Sequence, residues 1–436
     1  MQKLLEMARK KADAAEVLIQ ETKVDPLVFE GKALRYAPTQ DMVGVSLRVL
    51  KDGRLGFACT TGFGEREDLL EEALSTAEFG HTIELPFPGG ELEPADLVTP
   101  ELDDYSLADL ADEGRRIVEY MGKHGPGIST LLYLEKNVRR VKIINSTGRS
   151  GEYRRGTFAI RIMCRLPGSK YGVEKDLVRV CPFKCPDRKL EELIKEWHLA
   201  VKPCAVPVGR MKVLFRSSST WSLLYRLIAG VNGNSYVEGV TPLKEKLGTA
   251  IFGENITIVD DPLMEEGVLS NPFDDEGVPC RKRVIVEKGV LKNFVFDLAS
   301  GTESGFGTSG NGYKRSMWTE GIDEVPTPRF SNLVMETGGS TYEEMVASMD
   351  RGVIVNDVIG FHSGNITQGE YSMNVGTGFW VKDGKMLGRA MDTMVAGNVY
   401  EDFHRVSALS KTVERNQLVS YTPDMLIEEV SVSGKG

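Results

Sequence analysis

The sequence contains few residues of the kinds that bind metals or form disulfides. Only five histidines and six cysteines occur among its 436 residues. Six scattered cysteines cannot form a disulfide framework for a chain of this length, so we expect free thiols and a cytoplasmic location. Cys181 and Cys185 form a CxxxC with His198 and Cys204 downstream. Prolines interrupt this spacing and structural zinc sites favour two paired knuckles, so we expect no zinc site there.

Long apolar runs and concentrations of positive charge are also missing. No stretch reaches the roughly 18 apolar residues that a membrane-spanning helix needs, and the first residues form no apolar signal core. Lysine and arginine total 53 against 63 aspartate and glutamate, which gives a net charge of −10. No basic run or aromatic-basic stripe concentrates positive charge on one element. We therefore expect neither a membrane nor a nucleic acid as a direct partner.

What the sequence does contain indicates a globular protein with more than one domain. Hydrophobic residues make up 41% of the chain, enough to bury large cores at this length. The proline-rich segment Leu85–Pro100 and a second one at residues 202–209 mark boundaries, because proline removes backbone donors and fixes φ. We predict an N-terminal α+β region formed by residues 1–84 and 101–202, followed by a strand-rich C-terminal domain over residues 209–436.

Periodicity in the N-terminal half alternates between that of helices and that of strands. Apolar positions at helical spacing predict a first helix over residues 2–21. Alternating positions predict a hairpin of Val43–Leu50 and Leu55–Cys59. Ser106 followed by Asp109 predicts a capping box at the start of another helix. The other predicted elements are helices at Glu65–Phe79 and Asp187–Leu199 and strands at Ser129–Val138, Arg140–Asn145 and Tyr153–Cys164.

Caps, turns and alternation predict the elements of the C-terminal half. Ser217–Ser219 is predicted to cap a helix over Thr220–Ala229. Further helices are predicted at Thr341–Asp350 and Asn398–Leu409, and the strands near them alternate with turns such as Asp383-Gly384. The order of elements favours antiparallel sheets flanked by helices, an α+β fold, over a doubly wound parallel fold.

A stretch within the C-terminal half combines acidic, basic and glycine-rich segments. It opens with the acidic turn Asp274–Gly277, and a predicted hairpin over Arg281–Leu298 follows. Residues 300–312 are rich in glycine and lead into Tyr313-Lys314-Arg315. Such a segment cannot fill a core, so its backbone is free to approach another group closely. A surface loop is the simpler interpretation, and no GK[ST] or strand-GxGxxG-helix pattern indicates a phosphate site.

Four segments of the C-terminal half carry a family resemblance. They are NPFDDEGVPCRKRVIVEKGVLKNFVFDLAS (residues 271–300), Gly310-Asn311-Gly312, SNLVMETGGSTYEEMVASMDRGVIV (331–355) and NITQGEYSMNVGTGFWVKDGKM (365–386). Together with Gly44–Gly56, Ile144–Gly148 and Thr393–Asn398, they resemble the TldD/PmbA family over most of the chain. The resemblance implies an α+β protein built as a dimer around an enclosed cavity. In this family the bacterial pair TldD and TldE, the latter also called PmbA, acts on peptides and unfolded polypeptide segments.

The resemblance also implies which branch of the family the chain is similar to. The TldD branch has a His-Glu-x-x-x-His helix and a distant cysteine, which hold zinc with a position open for water, and its glutamate serves as base. In this chain Tyr225, Arg226 and Gly230 stand at the positions of the first histidine, the glutamate and the second histidine. No cysteine follows Cys280. The chain therefore resembles the TldE/PmbA branch, and we expect no catalytic residue, no metal ligand and no cofactor.

Two functional hypotheses follow from this resemblance. In the first, the chain is the metal-free subunit of a zinc peptidase and holds a peptide beside a TldD-like zinc subunit. In the second, it is a homodimeric peptide-binding or regulatory protein without a catalytic role. The family's older label, modulator of DNA gyrase, is a weaker hypothesis because the acidic chain offers no nucleic-acid footprint. The candidate peptide-cavity or interface residues are Asp274, Asp275, Gly310, Asn311, Arg315, His362 and Asn365.

Overall fold

Two β-sheets dominate the structure, which is a computed structural model. It describes residues 1–36, 38–62, 67–169, 171–315, 321–415 and 420–434. Within these residues, an eight-stranded sheet forms in the N-terminal half and a twelve-stranded sheet in the C-terminal half. Most strand pairs are antiparallel, so the predicted α+β class is confirmed. No helix of the described ranges is long and apolar enough to cross a membrane.

The N-terminal sheet is built around two long strands that pair antiparallel, β1 and β6. The elements are α1 (Gln2–Ala8), β1 (Ala14–Glu30), β2 (Ala33–Tyr36), β3 (Gln40–Lys51), β4 (Arg54–Thr61), α2 (Glu67–Phe79), β5 (Ala95–Leu97), α3 (Pro100–Asp104), α4 (Leu107–His124), β6 (Ser129–Asn145), β7 (Ser150–Arg165), β8 (Gly172–Arg179) and α5 (Asp187–Ala200). The strand order is β4-β3-β1-β6-β7, with β2 on β1 and with β5 and β8 on β7. The predicted hairpin β3–β4 and the capping box of α4 are confirmed. Residues 65 and 66 of the predicted second helix lie outside the described ranges.

The predicted first helix over residues 2–21 is wrong beyond its first turns. α1 ends at Ala8, and residues from Ala14 onward form β1. Val17 packs with residues of α1 and α2, whereas Leu18 on the opposite face packs with Phe273 of the C-terminal half. A strand covered on both faces loses the alternation of apolar and polar positions, so its sequence resembles that of a buried helix.

Long-range strand pairing overturns two more predictions. The predicted strands Ser129–Val138 and Arg140–Asn145 are one strand, β6, which pairs without a break with β1 and β7. The predicted helix Asn398–Leu409 is limited to one short helix and the 3₁₀ turn Phe403–Arg405, since residues from Val406 onward pair as a strand. In both places the partner strands decide the local structure over the residue pattern.

Five strands of the C-terminal sheet close into a barrel. β10 (Gly209–Phe215) pairs with β17 (Arg351–Ile359), β17 with β18 (Glu370–Lys382), β18 with β20 (Thr393–Asn398), β20 with β22 (Ser420–Gly434), and β22 again with β10. Val213, Val353, Met373 and Met425 belong to the apolar cluster of this barrel. The C-terminal elements are β9 (Pro203–Ala205), β10 (Gly209–Phe215), α6 (Ser217–Gly230), α7 (Gly233–Val237), β11 (Ile258–Asp260), β12 (Arg283–Glu287), β13 (Val290–Leu291), α8 (Leu298–Ser304), β14 (Gly312–Tyr313), β15 (Thr327–Pro328), β16 (Leu333–Met335), α9 (Tyr342–Ala347), β17 (Arg351–Ile359), β18 (Glu370–Lys382), β19 (Lys385–Met391), β20 (Thr393–Asn398), α10 (Val399–Asp402), β21 (Val406–Arg415) and β22 (Ser420–Gly434).

Helix α6 packs its buried residues into the core of the barrel. Leu223 and Leu227 join the barrel's apolar cluster. The helix begins at Ser217, so Ser217–Ser219 is part of the helix and the predicted serine cap is wrong. The carboxylate of Asp424, on β22, accepts a hydrogen bond from the Ser217 N–H at 2.7 Å. A residue distant in sequence therefore satisfies the helix start.

The contact between α2 and β4 depends on Gly56. A Cβ at this position would lie 2.0 Å from the carbonyl oxygen of Ala73 and 2.8 Å from the Cβ of Ala77, both on α2. We expect G56A to lower the free energy of unfolding by about 1–3 kcal/mol, because the helix backbone must move away. G339A is the matched control, since a Cβ there meets no atom within 4 Å. Equal urea midpoints for the two variants would contradict this account.

Candidate functional site

The acidic turn Asp274–Gly277 and the segment Gly310–Arg315 lie against each other inside the protein. The backbone N–H of Gly312 donates to Asp274 Oδ2 at 2.8 Å, and the N–H of Lys314 donates to Asp275 Oδ2 at 2.7 Å. Asp274 and Asp275 are both buried. The structure therefore places five of the seven candidate residues on two adjoining segments: the two aspartates on the turn, and Gly310, Asn311 and Arg315 on the segment whose Gly312 and Lys314 donate to it.

The surface-loop interpretation is wrong at both ends of the glycine-rich segment. Residues 298–304 form α8, and residues 309–315 are buried; the exposed part is centred on residues 305–307. A Cβ at Gly312 would lie 2.2 Å from Glu276 Oε2, and Gly310 has a φ of +75°. The close approach predicted for this backbone is thus made to the acidic turn of the same chain.

A buried cluster of charged side chains joins this turn to the N-terminal sheet. Arg48 Nη1, on β3, donates to Glu276 Oε1 at 2.8 Å, and Arg48 Nη2 donates to Glu16 Oε1, on β1, at 2.7 Å. Glu276 Oε2 accepts from the N–H of Leu298 at 2.7 Å. The Lys314 ammonium donates to a backbone carbonyl at 3.0 Å and lies 4.5 Å from the ring centre of Phe57, on β4. The two halves of the chain therefore meet through fully buried ions.

Burial changes the acidity of several groups in this cluster. It raises the pKa values of Asp274 and Glu276, whose carboxylates also repel one another. It lowers the pKa of Lys314 to about 7, and the neighbouring Arg48 adds to the lowering. It also raises the pKa of Asp260 to about 6, although hydrogen bonds from Ser331 and Asn311 oppose the rise. The charge of the cluster consequently changes near neutral pH.

The side chain of Asn311 makes three hydrogen bonds inside the protein. The Nδ2 of Asn311 donates to Asp260 Oδ2 at 2.7 Å and to the carbonyl of Arg329 at 2.9 Å, and its Oδ1 accepts from Ser309 Oγ at 2.6 Å. Asp260 Oδ1 accepts both the N–H and the Oγ–H of Ser331. Asn311 thus fixes the segment that precedes Arg315, whose guanidinium lies 4.0 Å from the ring centre of Tyr313.

His362 and Asn365 lie on a different element, the loop between β17 and β18. Both are exposed. Asn365 closes this loop on itself: its N–H donates to Glu370 Oε2 at 3.2 Å, and its Oδ1 accepts from the N–H of Gln368 at 3.4 Å. Within the described ranges, neither residue makes a hydrogen bond to the acidic turn or to Gly310–Arg315. Their proposed cavity role remains a prediction.

On α6, Arg226 and Gly230 stand at the positions that the resemblance assigns to the glutamate base and the second histidine. Arg226 is fully buried and donates to the carbonyls of Ser222, Ser363 and Glu370 at 2.7, 2.9 and 3.0 Å. Burial lowers its pKa to about 10. A Cβ at Gly230 would lie 2.1 Å from the hydroxyl of Tyr400.

These residues do not fit a zinc ion. A buried guanidinium repels a dication, and Gly230 offers neither a donor atom nor space for one. Across the described ranges, no three His, Cys, Asp or Glu side chains are grouped so that they could hold a metal, and this includes the CxxxC segment.

Sequence reasoning missed Glu16, Arg48 and Asp260 as members of the cluster. The only signal for Arg48 was a charged residue inside the apolar strand Val43–Leu50. Its partner Glu276 is 228 positions away in sequence. Such pairing follows from the folded arrangement and not from a local motif.

Comparisons with known proteins agree with this architecture. A family model described as PmbA/TldA metallopeptidase C-terminal domain matches residues 208–434, and one described as PmbA/TldA metallopeptidase domain 1 matches residues 15–78. The chain belongs to the PmbA/TldD metallopeptidase family.

Individual relatives cover the chain to different extents. It is 26% identical to an uncharacterized protein of Methanocaldococcus jannaschii, over 96% of this chain and 97% of that one. It is 30% identical to a protein of Archaeoglobus fulgidus called a metalloprotease, over 64% of this chain and 65% of that one. The crystal structure of TldE from Thermococcus kodakarensis superimposes with a TM-score of 0.85 at 24% identity and covers 100% of both chains. This last likeness concerns the fold.

The lowered pKa of Lys314 predicts a pH-dependent stability. Its pKa is about 7 in the folded protein and 10.5 ordinarily, so the folded state binds fewer protons between these values. The stabilising contribution is complete above about pH 10.5 and is lost as the pH falls through 7. Relative to K314M, the wild type should gain about 2 kcal/mol in free energy of unfolding from about pH 7 to about pH 9. Parallel stability curves in urea titrations across this range would contradict the prediction.

The contact between Gly230 and Tyr400 predicts a compensating pair of substitutions. We expect G230A to lower the free energy of unfolding by about 1–3 kcal/mol, because its Cβ collides with the Tyr400 hydroxyl. In a Y400F background the cost should fall, since the nearest ring carbon then lies 3.3 Å away. A double-mutant cycle by urea denaturation measures the coupling. Additive costs would show that Tyr400 does not fill the space beside Gly230.

Proposed function

We propose that this chain is the non-catalytic subunit of a TldD/TldE-type zinc peptidase that acts on peptides and unfolded polypeptides. The observation that carries the proposal concerns two positions of α6. The Arg226 guanidinium is buried at one of them, and the Tyr400 hydroxyl occupies the space beside Gly230 at the other. Family membership supplies the peptidase context. The zinc and the base would come from a TldD-like partner.

Amide hydrolysis requires an activated nucleophile, a base and stabilisation of the oxyanion. Arg226 stays protonated at neutral pH, so it cannot replace the glutamate base. Burial raises the pKa of the Cys280 thiol well above its ordinary value, and a neutral buried thiol is a poor nucleophile. These properties favour a binding or structural role over a catalytic one.

Two features suit a role in holding peptide. Strands at the edges of the sheets offer backbone groups for pairing with an extended chain. The exposed tip of the glycine-rich segment carries Phe306, which is 54% exposed and packs edge-on to Tyr236 at 5.5 Å. Phe306 lies between Gly305 and Gly307, so its exposed apolar side chain can contact varied peptides. The cytoplasmic location, which the free cysteines favour, remains part of this proposal.

A homodimeric peptide-binding or regulatory protein is the second candidate. The same exposed segment would serve it, and so would a dimer that covers strand edges. The two candidates differ in one respect, because only the first requires a zinc-bearing partner.

The proposal predicts partner-dependent proteolysis. The purified chain should hydrolyse an unfolded peptide such as β-casein no faster than the buffer blank. Mixed with a TldD-like zinc subunit from the same genome, it should form a complex in light scattering. Cleavage by that complex should exceed cleavage by the partner alone and should disappear with a chelator. The control is a mixture of the partner with the Y225H/G230H form of this chain. That form should not add a second zinc ion to the complex.

Two outcomes separate the candidates. Robust chelator-resistant hydrolysis by the single chain would overturn both. A stable homodimer that binds peptide but neither associates with the zinc subunit nor changes its cleavage rate would overturn the first and support the second.

A further inference from the structure

We propose that a cavity on the outer face of the barrel binds a short peptide by its free amino group and its free carboxylate. The inference rests on the proposed function, because short peptides with both ends free are the products of polypeptide hydrolysis. It deepens that function by assigning to this chain a site that holds such a product. The cavity includes none of the charged residues around Arg48.

The cavity has a volume of about 390 Å³ and extends across four strands of the barrel. Arg210 of β10 pairs with Ser431 of β22, and Ser431 pairs in turn with Ala396 of β20. Ala396 pairs with Ser372 of β18, and all four residues line the cavity. Their neighbours in sequence, such as Met211, belong to the apolar core. Because side chains alternate along a strand, this row of four residues faces away from the barrel interior.

The row of paired residues sets the length of the ligand. Neighbouring strands lie about 4.8 Å apart, so β10 and β18 are separated by about 14 Å. An extended chain advances about 3.4 Å per residue, so three residues extend over about 10 Å. Hydrogen bonds from side chains at the two ends of the row cover the remaining distance. The cavity is also small for a ligand site, and it therefore suits a tripeptide better than a longer chain.

Carboxylates in the cavity outnumber their basic partners. Asp402 is buried, and its carboxylate pairs with Arg405 and accepts a hydrogen bond from the Tyr371 hydroxyl at 2.6 Å. Glu401 and Glu429 are exposed. In the part of the chain that the structure describes, their carboxylates form no ion pair and accept no hydrogen bond. An ammonium group that enters the cavity therefore finds acceptors without breaking an internal contact.

The amino end of the ligand is assigned to the β18 side of the cavity. Glu370, the first residue of β18, faces the same side as Ser372, and its Oε2 accepts a hydrogen bond from the N–H of Asn365 at 3.2 Å. Glu370 pairs with Asn398, and Glu401 follows Asn398 by three residues. Hydrogen bonds between an ammonium group and a carboxylate are about twice as strong as those between neutral groups. Glu370 and Glu401 are the acceptors for the amino group.

The carboxylate end of the ligand is assigned to Arg210, at the opposite end of the row. Arg210 Nη1 donates to the backbone carbonyl of Glu429 at 3.1 Å, and within the described ranges its guanidinium forms no ion pair. A guanidinium carries several N–H donors in a planar fork, so this contact leaves others for a carboxylate. Glu429 can accept the last N–H group of the peptide. The two ends of the row thus bind the two oppositely charged ends of a tripeptide.

The test compares tri-alanine with two forms that each lack one charge. Calorimetry at low salt would use tri-alanine, N-acetyl-tri-alanine and tri-alanine amide with the full chain. We expect the free peptide to bind at least tenfold more tightly than either modified form. Non-specific attraction by the excess of carboxylates would instead give the amide the highest affinity.

Matched substitutions assign each end of the peptide. E401Q should abolish the advantage over the acetylated form and leave the advantage over the amide. R210Q should do the reverse. E119Q on α4 and R188Q on α5 make the same changes of charge at exposed positions outside the cavity, and they should leave both advantages intact.

The outcomes are distinguishable from a loss of folding and from failure of the proposed function. E401Q should melt with the wild type, since the Glu401 carboxylate has no internal contact to lose within the described ranges. Equal affinity for the three peptides, tightest binding of the amide, or unchanged discrimination in E401Q and R210Q would each overturn the site. Binding of tri-alanine by the single chain needs no zinc partner. Its retention without partner-dependent cleavage would count against the proposed function and not against this site.

Discussion

The buried ion pair between Arg48 and Glu276 is the contact on which the rest of the structure depends. It joins a strand of the N-terminal sheet to the acidic turn of the C-terminal half. Burial of two ions is costly unless nearly every polar atom is satisfied. Glu16 and the N–H of Leu298 provide much of that satisfaction, so the turn, α8 and two strands of the other sheet are fixed together.

The same requirement for hydrogen-bond partners applies to the buried Arg226 of α6. Within the described ranges, Arg226 donates to no acidic side chain; backbone carbonyls of its own helix, of the β17–β18 loop and of the first residue of β18 accept its hydrogen bonds. The side chain thereby ties this loop to the helix, a role that a bound metal and its ligands fill in other proteins. A buried cation, Arg226, and the Tyr400 hydroxyl beside Gly230 occupy the space at this helix.

The sequence was informative where structure is decided locally. The β3–β4 hairpin, the capping box at Ser106 and the body of α6 follow from turn residues, cap residues and periodicity. The sequence gave wrong predictions where a segment pairs with residues that are distant in the chain. β1 is covered on both faces, β21 exists because β22 pairs with it, and the start of α6 is capped by Asp424.

The candidate site was also predictable from the sequence only in part. Glycine and asparagine at positions 310–312 indicated close backbone approach, which the structure contains, but no local pattern identified the acidic turn as its target. Arg315 was selected as an isolated residue at the end of a motif. Tyr313, over whose ring Arg315 lies, pairs with Thr327, and this pairing exists only after folding.

Closure of the barrel has a consequence for biosynthesis. β22 pairs with both β10 and β20, so the ring is open until the last strand is in place. A ribosome covers the most recent residues of a growing chain, and therefore the barrel cannot close before β22 has left the ribosome. During that interval β10 and β20 present unpaired edges and the apolar interior is accessible, which is the period in which a nascent chain depends most on chaperones.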